Sequence, residues 1–93
     1  MAIVSFACKR TEALWAGERV AKWSGIQKAA MDQLLQLEMA GALSDLRIPP
    51  GNRLEALKGK RSGQHSIRIN DQFRICFVWT PAGAAKVEIV DYH

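Results

Sequence analysis

The chain is 93 residues long with 48% apolar side chains and 24% charged ones, a length and balance that fit one core and exclude a second folded domain or a chain disordered throughout. Thirteen Lys and Arg against nine Asp and Glu leave a formal charge of +4 at pH 7, which favours a polyanionic partner over an acidic one. No window approaches the roughly eighteen uninterrupted apolar residues of a membrane span, and the first residues lack the basic-then-apolar order of a signal peptide, so a cytoplasmic protein with no membrane partner is expected.

Ile3-Val4-Ser5-Phe6 is a short β-prone run, too brief to stand alone, and is expected to pair as an edge or closing strand. Thr11 followed by Glu12-Ala13-Leu14-Trp15-Ala16 has a capping-type residue, an acidic first turn and Gly17 at its end, the pattern of a short helix. Ser24-Gly25-Ile26-Gln27 fits a capping box at the start of a second, longer helix. Along that helix Ile26, Ala30, Leu34 and Leu37 form one apolar stripe. Its end is expected before Gly41, placed for a left-handed terminal residue.

Residues 45–63 contain Pro49-Pro50-Gly51, Gly59 and Gly63 and predict a long connector. It holds Arg47, Arg53, Lys58, Lys60 and Arg61 against only Asp45 and Glu55, so the basic excess is concentrated in a segment type that commonly carries function. From Gln64 the period becomes two: Ile67 and Ile69, a break at Asn70-Asp71, then Phe73, Ile75, Phe77 and Trp79. Pro81-Ala82-Gly83 turns the chain into a last strand with Val87 and Ile89. The expected order is β-α-α-β-β-β, an α+β domain over residues 1–93 with two helices packed on one face of a twisted antiparallel sheet.

Chemistry-bearing residues gather late in the chain. Arg74 alternates away from the apolar face, and the sequence ends Asp91-Tyr92-His93. An Arg that grips phosphate oxygens, a His that moves protons near neutral pH, a Tyr donor and an Asp that orients its neighbours are the parts of a phosphodiester-cleaving site. Taken singly, Arg74 reads more readily as a surface or ion-paired strand residue and a terminal His as a frayed end. His65, opening a strand, reads as structural, and Trp15, Trp23 and Trp79 as core rather than base-stacking residues. Cys8 and Cys76 lie far apart without metal-ligand spacing and read as reduced packing residues. No P-loop, G-x-S-x-G, H-E-x-x-H or dinucleotide motif is present, so no cofactor and no metal site are expected.

Three runs in order, Pro49-Pro50-Gly51-Asn52-Arg53-Leu54-Glu55-Ala56-Leu57-Lys58-Gly59, Gln64-His65-Ser66-Ile67-Arg68-Ile69-Asn70-Asp71-Gln72-Phe73-Arg74-Ile75 and Val87-Glu88-Ile89-Val90-Asp91-Tyr92-His93, resemble the HigB toxins. These are RelE-like toxins of bacterial type II toxin–antitoxin systems. The resemblance implies a RelE-like fold and a ribosome-dependent endoribonuclease that cuts messenger RNA through the message's own 2′-OH, without metal. It also implies a helix-turn-helix antitoxin of the HigA type, through which alone the toxin would meet operator DNA. By the same resemblance Arg74, Asp91, Tyr92, His93 and Lys58 carry over as catalytic positions, and Arg53, Lys60, Arg61 and Arg68 face RNA or the ribosome.

One departure stands out, since some members have a His where this chain has Glu55. Related toxins use a Glu in this region as general base, so Glu55 is either the base or only the ion-pair partner of Arg53 or Lys58. The alternatives to a nuclease are a non-catalytic module that blocks the ribosome by occupancy and a co-regulator that acts only through the antitoxin.

Overall fold

The computed structural model describes residues 2–91. Its elements are β1 (Ala2–Ile3), α1 (Lys9–Trp15), α2 (Gln27–Met39), β2 (Glu55–Ala56), β3 (His65–Arg68), β4 (Phe73–Thr80) and β5 (Gly83–Asp91). The sheet runs in the order β1-β5-β4-β3-β2. The α+β expectation holds, with two additions. The basic connector contributes the two-residue strand β2, paired antiparallel to β3, and β1 joins the opposite edge parallel to β5.

The β-prone N-terminal run follows β5 only in steps. Ile3 lies opposite Ala84, and after a gap Phe6 bridges to Val87. The gap coincides with a bulge in β5: Cys76 faces Glu88 but Val78 faces Ala85, and Lys86 takes a left-handed φ of 52°. Ser5 fills the break, its Oγ accepting from the Lys86 N–H at 2.9 Å and its carbonyl from the Val87 N–H at 3.1 Å.

The core forms where the apolar stripe of α2 meets the inward side of the sheet. Ala30, Leu34 and Leu37 are fully buried, as are Leu14, Ile67, Ile75, Phe77 and Val87. Trp23 is buried among them, and Trp15 and Trp79 pack against the same cluster as partly buried rings, which bears out their reading as core residues.

Three local expectations change. Thr11 does not cap α1, because the helix starts at Lys9 with Cys8 before it. Thr11 is instead buried in the first turn, where its Oγ1 accepts from the Ile89 N–H at 3.0 Å. That donor lies beyond the last backbone bond of the edge, Ala7 N–H to Val87 O, and a buried N–H needs an acceptor. The capping box at Ser24 does not form. Gln27 turns back instead, its Oε1 accepting from Val20 N–H at 3.3 Å and its Nε2 donating to the Glu18 carbonyl at 2.8 Å. Finally, α2 does not end in a left-handed glycine. Ala40 leaves it extended, and the N–H groups of Gly41 and Ala42 donate to the Asp45 carboxylate at 2.9 and 3.1 Å.

The connector is fastened by a ring of three side-chain amides. Gln33 Nε2 donates to Asn52 Oδ1 at 3.0 Å, Asn52 Nδ2 to Gln36 Oε1 at 2.7 Å, and Gln36 Nε2 to Gln33 Oε1 at 2.9 Å. Asn52, only 2% exposed, also donates to the Leu46 carbonyl, and Gln33 to that of Arg68. The ring therefore joins α2, the connector and β3 three residues before Glu55. Asn52→Ala leaves buried amide groups unsatisfied, so the unfolding free energy falls by about 1–3 kcal/mol, measured by urea denaturation.

Candidate active site

Strand pairing aligns one row across the sheet: Glu55 faces Ser66, Ser66 faces Cys76, and Cys76 faces Glu88. Directly opposed residues share a face, and alternation sends Ile67, Ile75 and Ile89 to the helices and this row to the other side. Arg68 and Arg74, also opposed, belong to the same polar face.

Arg74 is the centre of that face. Its Nη1 lies 2.9 Å from Glu55 Oε1 and reaches Ser66 Oγ at 3.4 Å, with the side chain 16% exposed against 46% for Glu55. The guanidinium is thus oriented by β2 and β3 while remaining open to solvent at its edge. Of the readings open for Glu55, the ion pair is present, but with Arg74 as partner.

Beyond β2 the chain keeps pairing for one more step, with Leu57 N–H donating to Gln64 O at 2.9 Å, and then forms a tight turn at Gly59–Arg61. Gly59 and Gly63 adopt φ of 66° and 92°, which a side chain would resist. The turn sends Arg61 to the far end of the row, where its Nη1 lies 3.2 Å from Glu88 Oε2 and donates to Gln64 Oε1 at 3.1 Å. Two acid–base pairs, Glu55–Arg74 and Arg61–Glu88, therefore flank buried Ser66 and Cys76. Lys58 and Lys60 stand exposed on the same connector.

The other expected positions separate. Arg68 pairs with Asp71 in the β3–β4 turn, and Arg53 is exposed on the connector before β2. Asp91 lies opposite Phe73 and accepts from Gln72 Nε2 at 3.1 Å. Its parity matches Ile89, so the register puts it on the face away from Arg74. Tyr92 and His93 lie outside the described residues. Glu88 and Ser66 were missed as members of the face, although both alternate with buried apolar neighbours and parity alone could have found them. Among the described residues no group of three or more His, Cys, Asp or Glu side chains could hold a metal ion.

The two thiols, both free, differ in reactivity for stated reasons. Burial pushes the Cys76 thiol up, more than nearby Arg61 lowers it, with Glu88 adding to the rise. At Cys8 partial burial also acts upward, but hydrogen bonds from the Thr11 side chain and from the Thr11 and Arg10 backbones outweigh it, and the thiol falls below its ordinary value. A thiol-disulfide reagent at pH 8 is therefore expected to modify Cys8 in the folded protein, and Cys76 only after urea is added.

Residues 15–93 match the sequence model of a family described as the RelE-like toxin of type II toxin-antitoxin system HigB. The chain is 47% identical over 70 residues to Toxin HigB-1 of Vibrio cholerae serotype O1, covering 75% of this chain and 73% of that protein. It is 35% identical over 54 residues to an uncharacterized protein of Haemophilus influenzae, covering 58% of this chain and 54% of that one. With a polar sheet face built around a held guanidinium and the family pattern running from Trp15 to the last residue, this chain belongs to the HigB family of RelE-like toxins of type II toxin–antitoxin systems.

Proposed function

We propose that this toxin is an endoribonuclease that acts on messenger RNA in the translating ribosome, as one domain over residues 1–93, in the cytoplasm. The observation that carries the reading is Arg74, held by Glu55 and Ser66 at the centre of a polar face whose connector displays Lys58 and Lys60. A guanidinium presents its N–H donors in a planar fork that matches phosphate oxygens. Lys58 adds charge from the exposed connector, and Arg53, Lys60, Arg61 and Arg68 meet the RNA backbone or the ribosome.

In the reaction the 2′-OH attacks the adjacent phosphorus. Its proton passes to Glu55, the P–O5′ bond breaks, and His93 gives a proton to the departing 5′-oxygen. The products are a 2′,3′-cyclic phosphate and a 5′-OH end, and DNA lacks the attacking group. Arg74 and Lys58 stabilise charge growing on the phosphate oxygens. Tyr92 positions the nucleotide and Asp91 orients its neighbours. A HigA-type helix-turn-helix antitoxin holds the toxin inactive and brings it to operator DNA.

Controlled expression with and without the antitoxin gene, followed by mapping of RNA 5′ ends, tests the reading. New 5′-OH ends inside codons of translated messages, absent when antitoxin is co-expressed, are the expected result. Full-length messages with lowered translation would replace it with inhibition by occupancy.

A further inference from the structure

Beside the edge strand β2 lies a cleft of about 640 Å³, whose lining includes Arg47, Arg53, Leu43, Pro50, Leu54 and His65. Glu55 also lines it, so the residue that holds Arg74 is shared between the polar face and the cleft. The volume falls within the range of small-ligand sites, about 300–1,000 Å³. Two guanidiniums against one carboxylate, set among apolar side chains, match a nucleotide, with its anionic phosphate and its flat base.

The backbone fixes one of the two guanidinium stems. Arg53 closes the Pro50–Asn52 turn with φ 48° and ψ 52°, its N–H donating to Pro50 O at 3.1 Å. A side-chain-bearing residue in this left-handed region is disfavoured by about 1–2 kcal/mol. Asn52, directly before it, is clamped in the amide ring, so Arg53 leaves the chain from a rigid base.

We propose that this cleft seats the nucleotide adjoining the scissile phosphate, so that single-stranded RNA runs from Arg74 past Glu55 to Arg47 and Arg53. This rests on the endoribonuclease reading, which places a phosphate at Arg74. It assigns a binding role to Arg47 and separates Arg53 from general ribosome contact.

The test uses a fluorescein-labelled RNA trinucleotide, 2′-O-methylated throughout and so uncleavable, in anisotropy titrations against the full chain at several salt concentrations. Wild type is expected to bind it. Arg47→Ala and Arg53→Gly each weaken binding about tenfold and flatten the slope of log affinity against log salt by about 0.7. Glycine is chosen at 53 because it accepts the left-handed backbone. Arg10→Ala, on the exposed face of α1, removes the same charge and leaves binding unchanged. The inference is overturned if wild type does not bind, if the cleft variants bind as wild type does, or if Arg10→Ala loses as much. Ribosomal cleavage of message by the same proteins separates the two ideas. Cleft-dependent binding without any cleavage by wild type removes the nuclease reading and leaves an RNA site; normal cleavage with cleft-independent binding removes the cleft alone.

Discussion

Arg74→Ala is expected to lower ribosome-dependent cleavage of messenger RNA by about 10²- to 10³-fold, the usual effect of removing one charge-stabilising donor from a phosphoryl or acyl transition state. The side chain is held rather than merely present, with a carboxylate at 2.9 Å and a hydroxyl at 3.4 Å setting the direction of its fork. Removing it leaves Glu55 without this partner, but that carboxylate is 46% exposed and water takes up its oxygens. The fold should therefore survive, and thermal melting within a few degrees of wild type is the necessary control. Arg74→Lys keeps a positive charge without the planar two-pronged geometry and should fall between the two. Wild-type cleavage by Arg74→Ala would remove the polar face from the reaction.

Glu55→Gln is expected to lower the cleavage step by about 10²- to 10⁴-fold, the range for loss of a proton-transfer group. Glutamine keeps the length and one carbonyl acceptor for Arg74 but cannot take the 2′-OH proton. The Glu55 side of the ion pair is 46% exposed and glutamine keeps an acceptor for Arg74, so the loss is about 0–1 kcal/mol and stability and ribosome binding should change little. Single-turnover cleavage on programmed ribosomes, compared with ribosome co-sedimentation, separates the two roles. A loss of cleavage with intact binding supports the base, and unchanged cleavage reduces Glu55 to an orienting partner of Arg74.

Residues whose role follows from short-range pattern were legible from the sequence. The helical stripe of α2 and the alternation through Ile67, Ile75 and Ile89 predicted the core, and parity placed Arg74 on the opposite face. What pattern could not supply were pairings between distant segments. Glu55 belongs with Arg74 only because two residues of a proline- and glycine-rich connector add a strand to β3, and nothing local in Glu55-Ala56 marks a strand. Thr11 looked like a cap because its local context suits one. A backbone donor across the chain at Ile89 claimed its hydroxyl instead. Gln33 and Asn52 carry no signal of burial, since an amide is buried only when partners exist, and theirs come from three separate stretches.

The irregular residue in β5 sets the phase of everything after it. With Lys86 absorbing one place, Ala84 and Val87 both reach the interior, and Glu88 rather than its neighbours arrives beside Cys76. Were the ladder to run on uninterrupted from the Val78–Ala85 pair, Glu88 would come opposite Ile75 and enter the apolar layer, while Ile89 would surface beside Arg74. The bulge thus keeps the phase by absorbing the lysine: a deletion of Lys86 would leave Val87 opposite Phe77 and Glu88 still opposite Cys76 in an unbroken ladder, whereas flattening the strand with the lysine in place would be a frameshift in space, exchanging inside for outside in every downstream side chain.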